Sequence, residues 1–363
     1  METTIVWILF GSFLVLLLIG APITVSLGVS ALAAFLYLEE NPIKLVQIAF
    51  TSVGSFPLMA LPAFILAGAL MEAAGVSRRL VGIAEALTGP VTGGLGMATV
   101  MACIFFGAIS GSGPATTAAV GMLMIPAMVN RGYDRGYASA ITASSGGLGV
   151  IIPPSIPMVI FGVSGMGMQP PAEAVEKFGE FQSLSIPKLF IAGFLPAFLI
   201  ATGVIVMNYY RSKRRGYMGL TDTWSFSDTR KALREGFWSV LAPLIILGGI
   251  YTGFFTPTES AIVAIFYTLA IGLFVHKELR LKDISHSLET TTWISGRVLL
   301  ILFTATVFGR LLVENDIPPI VAGALLDMTS NMYVIWGLII AFLLFVGMFM
   351  ETLATIMILT PVL

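Results

Sequence analysis

Charge is scarce in this chain: Lys, Arg, Asp and Glu make up 11% of its 363 residues, and the formal net charge is −1. With no long basic run, nothing in the sequence suits a nucleic-acid backbone, and no nucleic-acid partner is expected. Cysteine is nearly absent. Its one example, Cys103, lies inside an apolar run, which leaves neither a disulfide framework nor a thiol metal cluster. The only histidines, His276 and His286, sit among Lys277, Arg280 and Lys282, so no transition-metal site is expected. The first residues lack a basic lead and a small-residue cleavage pattern. They read as a retained first helix, not as a removed signal peptide.

What fills the chain is apolar. Hydrophobic residues make up 57% and the mean hydropathy is +0.95, values of an all-α polytopic membrane protein set in a lipid bilayer. Apolar segments are expected at about 5–19, 23–38, 58–74, 97–127, 138–165, 189–210, 240–253, 261–275, 294–313 and from 334 onward. Several are short or interrupted, as in transporters. Arg211, Lys213, Arg214, Arg215, Arg230, Lys231 and Arg234 place the loop after Tyr210 on the cytoplasmic side, and Lys277, Arg280 and Lys282 place a second loop there. Glu314, Asp316 and Asp327, without a basic neighbour, put the connection between Val313 and Val334 outside.

The run 97–127 is split by Ser110-Gly111-Ser112-Gly113-Pro114. Each limb is expected to reach roughly 20 Å into a hydrocarbon core about 30 Å thick. Arg78 and Arg79 precede the run and Arg131 and Arg135 follow it, so both ends fall on the cytoplasmic side. This predicts a re-entrant hairpin whose polar tip lies near mid-membrane, where irregular backbone survives only if it lines a cavity or is buried in protein. A second interruption, from Ser144 to Ser155, carries Ser145, Gly146, Gly147, Gly149, Pro153 and Pro154 and cannot sustain regular helical hydrogen bonding.

The halves of the chain repeat. Gly20-Ala21-Pro22 and the stretch from Gly253 to Pro257 each break a helical pair, and the amphipathic stretches 43–55 and 281–288 follow as interfacial arms. Gly68 through Val76 then matches Gly309 through Ile317 at a constant offset, and Gly107 with its polar tip matches Gly347 with Met350-Glu351-Thr352. Flanks of opposite sign make these two re-entrant helical hairpins of an inverted-topology repeat. The expected division is a scaffold pair and arm at 1–56, a first transport unit at 57–166 with its hairpin at 97–130 and broken helix at 138–165, scaffold helices and a second arm at 188–290, and a second transport unit at 291–363 with its hairpin from about 334. No closing flank follows the second limb before Leu363, so this second hairpin is expected to be incomplete at its C-terminal end.

At the first tip, carbonyls ending one half-helix suit a hard cation such as Na+, and N–H groups opening the next suit an anion. The candidate cation ligands are Ser110, Gly111, Ser112, Gly113, Thr116, Ser144, Ser145, Gly149 and Pro153. Candidates for an organic anion are Pro114, Ala115, Thr116, Ser155, Glu351, Thr352, Thr355 and Arg310. Plainer readings stand beside these. The tip could be a packed turn, Glu351 could only pair with Arg310, and Glu314 could neutralise Arg310 one helical turn away. Glu259 reads as a helix cap, and Met122, Met124 and Met128 as packing.

The string from Gly107 to Thr116, the Ile152-Pro153-Pro154-Ser155 break and Met350-Glu351-Thr352 together resemble the large membrane subunit of TRAP transporters, the tripartite ATP-independent periplasmic family. The resemblance runs over essentially the whole chain. It implies an elevator-type secondary transporter in a bacterial inner membrane, driven by a Na+ gradient, without other cofactor. The cargo it implies is an organic acid, with a C4-dicarboxylate as first choice and a sialic acid or another sugar or keto acid second. A soluble periplasmic substrate-binding protein would deliver it, and a small four-helix membrane subunit would complete the system. Two rivals remain at this point. One is a re-entrant-loop channel. The other is an intramembrane enzyme using Ser110 or Ser112, which is disfavoured because no histidine lies in an apolar segment to act as base.

Overall fold

A computed structural model describes residues 2–54, 56–165, 184–219, 223–318, 320, 323, 328–329, 331–348 and 350–360. Asp327 and Leu363, which carried sequence expectations, lie outside the described residues. No strand occurs among the described residues. The helices in chain order are α1 (Glu2–Val6), α2 (Ser12–Leu18), α3 (Ile23–Tyr37), α4 (Pro42–Val53), α5 (Ala60–Ala73), α6 (Val76–Thr88), α7 (Gly94–Ser110) and α8 (Gly113–Asn130). They continue as α9 (Arg135–Gly146), α10 (Ile156–Gly165), α11 (Ile186–Arg215), α12 (Phe226–Tyr251), α13 (Pro257–Ala270), α14 (Leu281–Glu314), α15 (Met332–Gly347) and α16 (Thr352–Leu359). Helices α11, α12 and α14, and α13 with its π-helical extension to Val275, are long and apolar enough to cross a membrane.

The chain packs as two compact units, Met1–Leu58 with Ile160–Leu184 and Ser295–Leu363, and Met59–Val159 with Ser185–Ile294. The first is built around Leu9, Phe13, Leu27, Phe35, Phe308, Leu311 and Leu312, with Phe10 set edge-on to Phe308 at 5.7 Å. In the second, Ala98, Ala102, Cys103, Phe106, Val120, Met124, Met128 and Ile141 bring α7, α8 and α9 together. Met124 and Met128 therefore are packing residues, whereas Met122 is 66% exposed.

Three sequence expectations change. The hairpin limbs start earlier and end later than the apolar pattern indicates, so α7 and α8 have 17 and 18 residues, about 26 and 27 Å at the helical rise. Those lengths approach the hydrocarbon thickness. Shortness of the limbs therefore does not support the expected re-entrant path. The stretch 281–288 is not a separate arm: it continues without a break into one 34-residue helix, α14. Likewise the charged stretch before 240 is helical, because α12 turns Thr229, Gly236 and Ser239 inward and leaves Arg230, Lys231 and Arg234 exposed.

The repeat has a backbone signature. Gly20 and Gly253 have φ of +83° and +78°, Glu39 and Lys277 +54° and +55°, and Gly75 and Asp316 +70° and +53°. Each pair occupies matched positions in the two halves, after α2 and α12, before α4 and α14, and at the ends of α5 and α14. Glu39, Lys277 and Asp316 are all the non-glycine residues of positive φ among those described. A left-handed side-chain-bearing residue costs about 1–2 kcal/mol, so its recurrence in register marks a turn the architecture requires.

Candidate functional site

Helix α7 ends where Gly111 takes φ +59° and donates its N–H to the Gly107 carbonyl at 2.9 Å. The next residue, Ser112, is extended and caps α8, its Oγ accepting from Ala115 N at 3.4 Å, with Pro114 in the first turn. The C-terminal end of one helix and the N-terminal end of the next thus meet at the tip. Three oxygens converge there. Thr116 Oγ1 donates to the Ser112 carbonyl at 2.7 Å, and Ser110 Oγ lies 3.0 Å from Thr116 Oγ1 and 3.4 Å from the Ser112 carbonyl. Ser110 is 4% exposed and Thr116 fully buried, whereas Pro114 is exposed and Ala115 half-buried. Such a set of neutral oxygens can serve a hard cation. For nucleophilic chemistry it offers no base, since the partners of Ser110 are a hydroxyl and a carbonyl.

The broken helix closes on this tip. Helix α9 ends at Gly146, a 3-10 turn runs Gly147–Val150, and α10 begins at Ile156. Between them the Pro153-Pro154 bond is cis. Ser155 donates its hydroxyl to the Val150 carbonyl and accepts from Met158 N at 3.3 Å, and Ile156 N donates to the Gly111 carbonyl at 3.3 Å. Glycine makes the approach possible. A Cβ on Gly107 would lie 2.8 Å from Gly149 Cα, one on Gly111 2.7 Å from the Pro154 carbonyl, and one on Gly149 2.9 Å from the Ser112 carbonyl and in collision with Thr116 Oγ1.

The sequence candidates therefore divide. Ser110, Gly111, Ser112, Gly113, Thr116, Gly149, Pro153 and Ser155 share one packed joint within one unit. Ser145 lies next to it, but its hydroxyl donates to the Ile141 carbonyl of its own helix at 2.6 Å, and Ser144 is exposed. Glu351, Thr352, Thr355 and Arg310 belong to the other unit. There Glu351 caps α16, its carbonyl accepting from Thr355 N and Oγ1 at 3.0 Å, and Arg310, 56% exposed, pairs with Glu314 at 2.9 Å. Glu259 completes a capping box with Thr256 at the start of α13, as its position suggested.

Sequence reasoning missed three positions. Gly68 faces Ser110, its notional Cβ 3.3 Å from Ser110 Cα, and Thr117 would collide with any Cβ on Gly146. The spacing Gly107-x-x-x-Gly111 was a signal for such close approach. The third, Asn208 of α11, is fully buried: it donates to the Gly93 carbonyl at 2.9 Å and accepts from Tyr137 Oη at 2.8 Å. It bolts α11 to the hairpin base, where Tyr133 stacks on Tyr217 at 4.1 Å. An isolated Asn in an apolar helix gives no sequence signal of its partners.

Residues 10–363 match the family model described as the tripartite ATP-independent periplasmic transporter, DctM component. The isethionate TRAP transporter permease protein DctMQ of Oleidesulfovibrio alaskensis is 43% identical over 98% of this chain and 54% of its own length. The C4-dicarboxylate TRAP transporter large permease protein DctM of Rhodobacter capsulatus is 35% identical over 98% of this chain and 80% of its own. The sialic acid TRAP transporter permease protein SiaT of Haemophilus influenzae is 37% identical over 97% of this chain and 54% of its own. The chain thus spans about half the length of the isethionate and SiaT relatives. With the whole matched region and four helices long enough to cross a bilayer, it is a multi-pass inner-membrane protein and belongs to the DctM family of TRAP transporter large permeases.

Proposed function

We propose that this chain carries a small organic acid anion inward, coupled to a Na+ gradient, by an elevator movement of a hairpin-bearing transport unit against scaffold helices. The observation that carries the reading is the convergence of Ser110 Oγ, the Ser112 carbonyl and Thr116 Oγ1 at a buried, uncharged tip facing a broken helix. Na+ would replace the hydrogen bonds these oxygens make with one another, with Gly111, Gly113, Gly149, Pro153 and Ser144 and Ser145 at the end of α9 contributing backbone or hydroxyl oxygens. The bound cation then neutralises the tip. The α8 N-terminus, with Pro114, Ala115 and Thr116, and Ser155 across the joint become favourable for an anionic group. Glu351, Thr352, Thr355 and Arg310 are the anion-binding candidates of the second repeat within their own unit, where Arg310 would have to leave Glu314.

The relatives act on isethionate, C4-dicarboxylates and sialic acid by their names, which share a single anionic acid group or two on a small polar body. A C4-dicarboxylate is the first choice of cargo. A sulfonate is the second, favoured by the 43% identity to the isethionate relative. A family named tripartite, with members named large permease, supports a soluble periplasmic binding protein and a small membrane subunit as partners.

The test is uptake by proteoliposomes holding this chain with its cognate binding protein and small subunit, against malate, succinate, sialic acid and isethionate. Saturable uptake with trans-stimulated exchange of one of these acids is the expected result. Non-saturating flux without exchange would replace the carrier with a channel.

A further inference from the structure

Glu278 follows the left-handed turn at Lys277 directly, and each of its carboxylate oxygens takes its own arginine. Arg79 Nη2 lies 2.8 Å from Oε1 and Arg78 Nη2 2.6 Å from Oε2. Both arginines open α6, just past the bend of 69° that separates it from α5. The same short linker satisfies the α5 C-terminus, whose last carbonyls have no partner within the helix. His276 Nδ1 meets the Ala74 carbonyl at 3.0 Å, and Arg79 Nη1 donates to the Gly75 carbonyl at 3.0 Å. Gly75, at φ +70°, is the pivot, and a Cβ there would collide with the Glu278 carboxylate.

The repeat places a second acid in the same register. Glu40 follows the left-handed Glu39 as Glu278 follows Lys277. It pairs with Lys44 at 2.8 Å, Lys44 lies 4.0 Å from Glu314, and Glu314 pairs with Arg310 at 2.9 Å. Glu314 is the last residue of α14, two residues before the left-handed Asp316, the counterpart of Gly75. Different residues thus make a charged tie between the same two turns in each unit.

We infer that Glu278 and Glu40 anchor two charged clamps, each of which fixes the left-handed turn that ends one helix of its unit, Gly75 after α5 and Asp316 after α14. The Glu278 clamp is the stronger, because one carboxylate holds two guanidinium groups and Arg79 and Glu278 are only 23% and 30% exposed. The Glu40 clamp is a chain of single contacts, one of them at 4.0 Å, with no carboxylate held by two guanidinium groups. It yields first to salt. If the transport reading is right, the clamps set the angle at which each hairpin is presented, and loosening them slows turnover without altering the cation site.

The bends are measured directly by spin-label distances in the full chain in lipid nanodiscs, after replacing its sole cysteine by Cys103→Ala. Labels at Met59 and Leu87 straddle the first bend, and labels at Leu300 and Ile320 the second. Glu278→Gln is expected to broaden and shift the first distribution, and the charge-reversed set Arg78→Glu, Arg79→Glu and Glu278→Lys to restore it. Lys44→Gln is expected to broaden the second. Salt at about 1 M, where the screening length falls to about 3 Å, should broaden the second in the unsubstituted chain, a measurement that needs no variant. Unchanged distributions in folded Glu278→Gln and Lys44→Gln proteins overturn the inference, because packing alone then holds the bends. Uptake is a separate readout. Unsubstituted protein that carries no acid defeats the transport reading and leaves the distances to decide the clamps.

Discussion

Small residues do most of the positioning at the first tip, and their effects should be separable. Gly149→Ala would drive a methyl against Thr116 Oγ1 and the Ser112 carbonyl, and overpacking of this kind costs about 1–3 kcal/mol. Thermal unfolding in detergent should fall accordingly, and Na+ should recover less of it than in the unsubstituted chain. His276 gives a pH test. Its Nδ1 faces the Ala74 carbonyl, which can only accept, so Nδ1 carries the proton, and Nε2 is buried without a partner. Burial, aided by Arg79, holds the imidazole below its usual range, against the pull of the Ala74 hydrogen bond and Glu278. A folded value below the unfolded one means that stability is full above about pH 6.5 and is lost as pH falls through the folded value. His276→Asn keeps a donor and cannot titrate, so the difference in melting temperature between the two proteins should change across that window. A difference independent of pH would remove the histidine from the account. Much of the tip was legible at this scale, because Ser110-Gly111-Ser112-Gly113-Pro114 is chemically out of place in an apolar run. Gly68, Thr117 and Asn208 were not, because their meaning lies in partners distant in the chain.

At the scale of elements, hydrophobic patterning found most of the helices, misplaced their ends and missed α6, whose apolar and charged residues alternate. It cut α14 in two because polar residues from 283 to 292 interrupt the apolar count, although nothing in Leu281–Glu314 breaks helical hydrogen bonding. It missed that α12 begins at Phe226, since three exposed cations mask the small-residue face formed by Thr229, Gly236 and Ser239. At the turns, the residues aligned as repeat partners, Gly20 with Gly253 and Gly75 with Asp316, share the left-handed conformation. Asn208 carries the clearest expectation here. Asn208→Leu takes the acceptor from the Tyr137 hydroxyl and one of two donors from the Gly93 carbonyl, which keeps Met97 N, and a buried group left unsatisfied costs about 1–3 kcal/mol. Amide exchange at the start of α7 should rise in this variant while the far end of α11 stays protected. Uniform exchange along α11 would mean that packing, not this residue, joins it to the hairpin.

For the whole molecule, the family assignment makes the chain a TRAP transporter large permease, and the proposed coupling ion is the claim on which the carrier reading depends. Replacing one hydrogen-bonding partner of a charged group costs about 1.5–3 kcal/mol, which is about tenfold or more in affinity. The direct measurement is acid uptake by the reconstituted system as Na+ replaces K+ at constant ionic strength, for the unsubstituted chain and for Ser110→Ala with Thr116→Ala. Uptake should depend on Na+, and the double variant should need at least about tenfold more Na+ for half-maximal uptake while its melting temperature without Na+ stays close to that of the unsubstituted chain. Equal uptake in K+, or an unchanged Na+ requirement in the double variant, would contradict the assignment of a sodium-coupling site to this tip.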